Sequence, residues 1–121
     1  MIVLGLMVAG AVGSVGRALV DAIVASRVGR AFPYGTLVIN VSGSALLGVL
    51  TGLVLHHGWP SASATILGTG FCGGYTTFST HAVDSVELAR AGDPGAAVRN
   101  VAANLVLGTV AAALGLAATS W

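Results

Sequence analysis

The sequence predicts an all-α membrane protein with four transmembrane helices, the third broken near its centre. Three observations lead there. The 121 residues are 55% apolar and only 7% charged, with a mean hydropathy of +0.93. Four long apolar segments account for nearly the whole chain. The third of them concentrates glycine and threonine at mid-depth. An ordinary soluble domain carries about 25% charged residues, and a short one must cover a large surface with polar groups. The natural solvent for this chain is lipid.

A span needs roughly 20 mostly apolar residues to cross a hydrocarbon core about 30 Å thick. The segments read as Ile2 to Val28, Tyr34 to Leu55, Ala62 to Arg90 and Ala96 to Ser120. Little is left over, so residues 1–121 read as a single transmembrane domain whose function is expected inside the membrane. The first segment lacks a basic leader and is too long for a signal peptide. Short connections make consecutive helices antiparallel neighbours. Trp59 and Trp121 fall at span ends, where amphipathic rings prefer to sit. The 18 glycines recur inside the spans. Small residues let helix backbones approach closely in lipid, and tight assembly, with a second subunit, is expected.

The third segment contains Gly68-Thr69-Gly70-Phe71-Cys72-Gly73-Gly74-Tyr75-Thr76-Thr77-Phe78-Ser79-Thr80-His81. Glycine pairs and consecutive threonines are poor formers of a continuous helix. Non-helical backbone at that depth is tolerated only where it is buried or lines a cavity. A helix broken there frees carbonyls for a cation and N–H groups for an anion. A kinked but continuous helix packed on its neighbours is the competing reading. Phe78 and His81, three residues apart, share a helical face, with the hydroxyls of Ser79 and Thr80 beside them. An aromatic edge carries partial positive charge, so ring edges and hydroxyl donors together suit a small anion. A packed core aromatic with satisfied hydroxyls is the alternative.

Elsewhere the polar residues are few. Asn40 stands in span two, where its amide needs partners: an interhelical hydrogen bond or an anion. Arg17 in span one is the costliest group, about 2.5–3.5 kcal/mol at a helix centre. Asp21 follows four residues on, so the two are expected to pair along one face; attraction of an anion is the sharper role for Arg17. Spans two and four carry no carboxylate, which argues against a proton-coupled exporter. His56 and His57 read as interface residues, and Cys72 as a packing residue. No nucleophile and base are arranged for catalysis, so an enzyme is not expected. A net charge of +1 gives no reason to expect nucleic acid.

On these residues the chain resembles the bacterial fluoride channel family called Fluc or CrcB. The likeness rests on Gly70-Phe71-Cys72-Gly73-Gly74-Tyr75-Thr76-Thr77-Phe78-Ser79-Thr80, on Gly35-Thr36-Leu37-Val38-Ile39-Asn40-Val41-Ser42-Gly43, and on Gly13-Ser14-Val15-Gly16-Arg17. It covers essentially the whole length. The resemblance implies a dimer of antiparallel subunits in the bacterial inner (plasma) membrane, with two narrow pores for passive fluoride efflux. It implies a structural sodium ion, not transported, held by the backbone carbonyls of Gly73 and Thr76 of both subunits. It places Asn40 and Phe78 in the pore, and Ser79 and Thr80 on a hydroxyl track to which Asn104 and Thr109 are further candidates. His81 stands where the family has a second pore phenylalanine, and imidazole is an N–H donor that can also be charged.

The basic residues are all Arg. Arg27, Arg30, Arg90 and Arg99 lie at the first and third connections, and none lies on the other side. The positive-inside rule puts those connections in the cytoplasm and both termini outside. A subunit inserting both ways should show little bias. The bias therefore favours pairing with an inverted homologous subunit, in a heterodimer with unequal pores, although a homodimer is the simpler assembly. A non-conducting partner subunit and a small dual-topology drug exporter are the rival functions.

Overall fold

The computed structural model describes residues 1–121 and is helical throughout, with no strands. Its elements are α1 (Ile2–Val28), α2 (Tyr34–His57), α3 (Ser61–Thr65), a π-helical segment (Ile66–Cys72), α4 (Gly73–Tyr75), α5 (Ser79–Arg90) and α6 (Pro94–Ala117). Three of them, α1, α2 and α6, are long and apolar enough to cross a membrane. Span one has the expected limits. The second helix runs two residues past Leu55 and stops at Gly58, which caps it in the left-handed conformation (φ 62°, ψ 28°), the conformation glycine adopts at least cost. The last helix starts earlier than Ala96 because Asp93 caps it: its Oδ1 accepts the Ala96 N–H at 2.8 Å, and Pro94 sits in the first turn. That arrangement satisfies an orphan N–H and uses the fixed φ of proline. This helix ends at Ala117, short of Ser120.

The surface is that of a protein in lipid. The chain exposes 7019 Å², against about 5,900 Å² for a compact soluble monomer of this mass. Val3, Met7, Val15, Leu19 and Ile23 of α1 are more than half exposed, as are Val98, Leu105, Val106 and Leu114 of α6. An aqueous surface would not carry such stripes.

Packing runs through glycine. The α2 and α6 helices form the largest contact, and α1 lies against the π-helical segment and α4. At the α2–α6 crossing a Cβ on Gly48 would strike the carbonyl oxygen of Ala112, and one on Gly115 would strike that of Ala45. Where α1 crosses the π-helical segment and α4, a Cβ on Gly13 would strike Phe71 O, and one on Gly74 would strike Gly10 O. Backbones in direct contact gain dispersion energy and admit no larger side chain. The largest fully buried side chains are Ile39 and Asn100. A buried amide beside a single isoleucine marks a bundle whose interior is partly polar.

Candidate functional site

The segment from Ser61 to Arg90 is not one helix. Its first part widens into the π-helical turn over Ile66–Cys72, returns to α-geometry for Gly73–Tyr75, and then leaves the helix at Thr76 (φ −77°, ψ 161°). Thr76 keeps hold of the turn it leaves: its N–H and its Oγ1 both donate to Cys72 O, at 2.8 Å each. Beyond it the ladder lapses until α5 begins at Ser79.

Buried backbone groups in such a gap must find partners. Asn40 of α2 supplies them. Its Oδ1 accepts the Thr77 N–H at 2.9 Å, and its Nδ2 donates to Thr77 O at 3.0 Å. One side-chain amide thus pairs with both polar groups of one residue. The Thr77 N–H is thereby diverted from Gly73 O, the acceptor it would have in a continuous helix. The Thr77 Oγ1 accepts the Thr80 N–H at 3.2 Å and bonds the Thr80 hydroxyl at 3.1 Å. It starts α5 as a capping residue does.

A chain of amides continues from Asn40 across α6 to α5. Asn40 Nδ2 also donates to Asn104 Oδ1 at 3.0 Å, and Asn104 Nδ2 donates to Asn100 Oδ1 at 3.1 Å and Asn100 O at 2.9 Å. Asn100 Nδ2 lies 3.0 Å from Ser85 Oγ and 3.4 Å from His81 Nδ1. No buried side-chain polar atom lacks a partner. A fully satisfied network of this kind fixes side chains in place.

Two cavities flank the interruption. The larger, about 530 Å³, is lined by Asn40, Ser44, Gly73, Thr76, Thr77, Phe78, His81 and Asn104 among others, and no carboxylate reaches it. The smaller, about 380 Å³, is walled by Arg17, Asp21, Arg30, Thr36, Thr77, Thr80, Asp84 and Glu87 among others. Thr77 is the one residue common to both walls, and it is 8% exposed.

The residues singled out from the sequence meet here, with the exception of Thr109. Gly73, Thr76, Asn40, Phe78 and His81 face the larger cavity. The Phe78 and His81 rings are T-shaped, 6.1 Å between centroids. Phe78 is 82% exposed. Thr80 faces the smaller cavity, and Ser79 Oγ lies 3.3 Å from Thr77 Oγ1. Asn104 joins the network, whereas Thr109 bonds its own helix at Leu105 O, 2.7 Å, and reaches neither cavity. The Arg17–Asp21 pair is corrected. Arg17 Nη1 donates to Thr76 O at 3.3 Å, and Asp21 pairs instead with Arg30, also at 3.3 Å. The carbonyl at the interruption lies within reach of Arg17, and Arg30 folds back over the first connection. Both hydrogens of the Asn40 amide are engaged within the protein, so Asn40 serves here as the clamp of Thr77. Thr77, Asn100 and Ser85 were not singled out. Thr77 gave a signal in the doubled threonine at the expected break; Asn100 and Ser85 gave none, because their role depends on how α5 meets α6.

Residues 4–116 match the model of the family described as CrcB-like protein, Camphor Resistance (CrcB). The chain is 52% identical over 112 residues to the Symbiobacterium thermophilum protein named Fluoride-specific ion channel FluC 1, covering 91% of this chain and 90% of that one. It is 47% identical over 112 residues to the Mycobacterium bovis protein named Fluoride-specific ion channel FluC 2, covering 93% and 86%. It is 45% identical over 116 residues to a FluC 1 of Leifsonia xyli, covering 96% and 85%.

Proposed function

This chain belongs to the CrcB family, and from that premise we propose that it is a subunit of a fluoride-selective channel. Fluoride leaves the cytoplasm through it passively, which lowers intracellular fluoride toxicity. The protein is a transport protein and not an enzyme. The observation that carries the reading is the larger cavity, which is lined by amide, hydroxyl and imidazole groups without a carboxylate. Fluoride is small and strongly hydrated, and dehydration is its main barrier. The Asn40 and Asn104 amide hydrogens are spent within the chain, so the Ser44 hydroxyl and His81 are the donors this cavity offers. Donors held in place replace the lost water at little reorganisation, and a narrow pore lined by them discriminates against larger anions. The edge of Phe78 adds a weaker positive contact.

The rest of the assembly follows from the same reading. The segment Ser61–Arg90 crosses the membrane as two half-helices meeting at Thr76–Phe78, which makes four spans. Gly73 O, whose helical partner is diverted to Asn40, and Thr76 O, outside the ladder, are carbonyls suited to a hard cation. Two carbonyls do not complete a coordination shell, and an inverted second subunit would supply the rest around a structural sodium ion. Phe78, largely exposed in the single subunit, would then line a pore closed by the partner. The protein sits in the plasma membrane with its first and third connections in the cytoplasm.

A second reading, that this chain is the partner subunit of a heterodimer with unequal pores, is favoured by the bias of four Arg against none between the two sides. Fluoride efflux from liposomes tests both. The purified chain should carry fluoride, and Phe78→Ile should cut the flux at least tenfold without unfolding the protein. Flux indifferent to both Phe78→Ile and Asn40→Ser would refute the pore assignment. Stable, conducting dimers of the chain alone would exclude the obligate heterodimer.

A further inference from the structure

The amide chain between Thr77 and His81 has a direction, and the direction decides which His81 nitrogen carries the proton. Side-chain amide oxygen and nitrogen are ordinarily interchangeable by a flip, and imidazole tautomers are assigned through their partners. Here main-chain groups settle each choice. The Thr77 N–H can only donate and Thr77 O can only accept, so Asn40 Oδ1 must face the first and Nδ2 the second. Asn40 Nδ2 then meets an oxygen on Asn104. Asn104 is fixed a second time, because its Nδ2 faces Asn100 O at 2.9 Å; an oxygen there would repel. Asn100 must therefore offer Oδ1 to Asn104 and turn Nδ2 toward α5. Ser85 Oγ spends its hydrogen on His81 O at 2.9 Å and so accepts from Asn100 Nδ2. The other Asn100 hydrogen points to His81 Nδ1. In a neutral imidazole one nitrogen accepts and the other carries the hydrogen.

We propose that Asn100 and Asn104 are positioning residues that hold neutral His81 as the Nε2–H tautomer, making that N–H the donor His81 offers to an anion in the cavity it shares with Phe78. His81 Nε2 has no partner within the chain, yet no buried side-chain nitrogen is unpartnered. The atom is therefore accessible, and His81 lines the larger cavity. Asn100, fully buried, lines neither of the two cavities and acts only through the ring. An imidazole N–H is a stronger anion donor than a ring edge, so the tautomer determines whether this face of the cavity offers a donor or a lone pair. The proposal rests on the channel reading for the anion, but not for the tautomer.

The test uses the chain labelled with ¹⁵N-imidazole histidine in lipid nanodiscs. The His81 signals are assigned by their loss in His81→Gln, which separates them from His56 and His57. The expected spectrum shows protonated Nε2 and unprotonated Nδ1 at His81, and the Nε2–H resonance moves on adding sodium fluoride but not sodium chloride. Asn100→Asp presents only acceptors to Nδ1, so Nδ1 should gain a proton. Above the pH range in which the new carboxylate holds the ring as imidazolium, the ring should be the Nδ1–H tautomer and fluoride flux should fall about tenfold, the worth of one hydrogen bond to a charged group. Asn104→Asp should have the same sign of effect through Asn100. An Nδ1–H tautomer in the unmodified chain would overturn the proposal even if every variant misfolded. So would an Nε2–H resonance blind to fluoride in a chain that conducts it. A responding Nε2–H in a chain that passes no fluoride would support the donor while refuting the channel.

Discussion

Replacing Asn40 with alanine removes the partner of three groups at once. These are the Thr77 N–H at 2.9 Å, Thr77 O at 3.0 Å and Asn104 Oδ1 at 3.0 Å. Thr77 is 8% exposed, so water does not readily take the place of the amide. Each buried group left without a partner costs about 1–3 kcal/mol, which sets about 2 kcal/mol as the lower limit for the two Thr77 groups; Asn104 faces the larger cavity, where water can replace its partner. That is a large share of an ordinary folding stability of about 5–15 kcal/mol. Thermal unfolding in detergent should show a clear drop in midpoint for Asn40→Ala. Asn40→Asp sharpens the comparison. The carboxylate still accepts the Thr77 N–H but sets its second oxygen against Thr77 O and Asn104 Oδ1. It should therefore cost at least as much as alanine despite its matching shape. If Asn40 merely filled space, the isosteric aspartate would be the milder change. An Asn40→Asp protein as stable as the unmodified chain would refute the clamp.

Other consequences are measurable by the same means. Gly48→Ala drives a Cβ into Ala112 O at the α2–α6 crossing and should cost about 1–3 kcal/mol by overpacking. Gly10→Ala, whose nearest neighbour is at an ordinary 3.6 Å, should change the melting temperature little. Asp21→Asn breaks an ion pair whose side chains are 39% and 70% exposed and should lose less than about 1 kcal/mol. Arg17→Met strips the donor from Thr76 O and should lower the melting midpoint of the sodium-free chain more than Asp21→Asn does; equal losses would restore the pairing of the two. Asp93→Ala removes the cap of α6 and should cost about 1 kcal/mol, read as a lower melting midpoint with unchanged flux.

What the sequence made legible follows from how strictly lipid constrains a chain. A long apolar stretch without charge has few options in a membrane, so the helices over Ile2–Val28 and Tyr34–His57 were readable nearly to their ends. Asp93-Pro94 and Gly58 mark helix limits by local chemistry, yet both lay just outside the limits that hydropathy drew. The Thr76–Phe78 gap was foreseeable as weak helix propensity, because glycine and threonine act locally. Its backbone partners were not, since the Asn40 amide reaches Thr77 across 37 positions of sequence. A lone asparagine in a span looks the same whether it serves a pore or a peptide group. Only the packing of α2 on the interruption separates the two.

Arg17 shows why the local rule failed where it did. The four-residue spacing to Asp21 selects a partner on the assumption that neighbouring helices have no free main-chain acceptor. That holds inside a continuous ladder, where every carbonyl is engaged. It fails beside an interruption. Once Thr76 turns to extended geometry its carbonyl leaves the ladder, and a guanidinium placed on the facing helix finds a fixed dipole at 3.3 Å. Asp21 is then free for Arg30, in the connection that follows the same helix. The identity of the partner was thus decided by the break itself. The same reasoning makes Arg17 a sensor of that carbonyl: a cation bound at Thr76 O would repel the guanidinium. Sodium at the proposed site should therefore displace Arg17 from Thr76 O, and an Arg17→Met chain should bind sodium no more weakly than the unmodified one, as read by sodium-dependent melting. Weaker sodium stabilisation in the variant would show that Arg17 supports the site and does not compete for it.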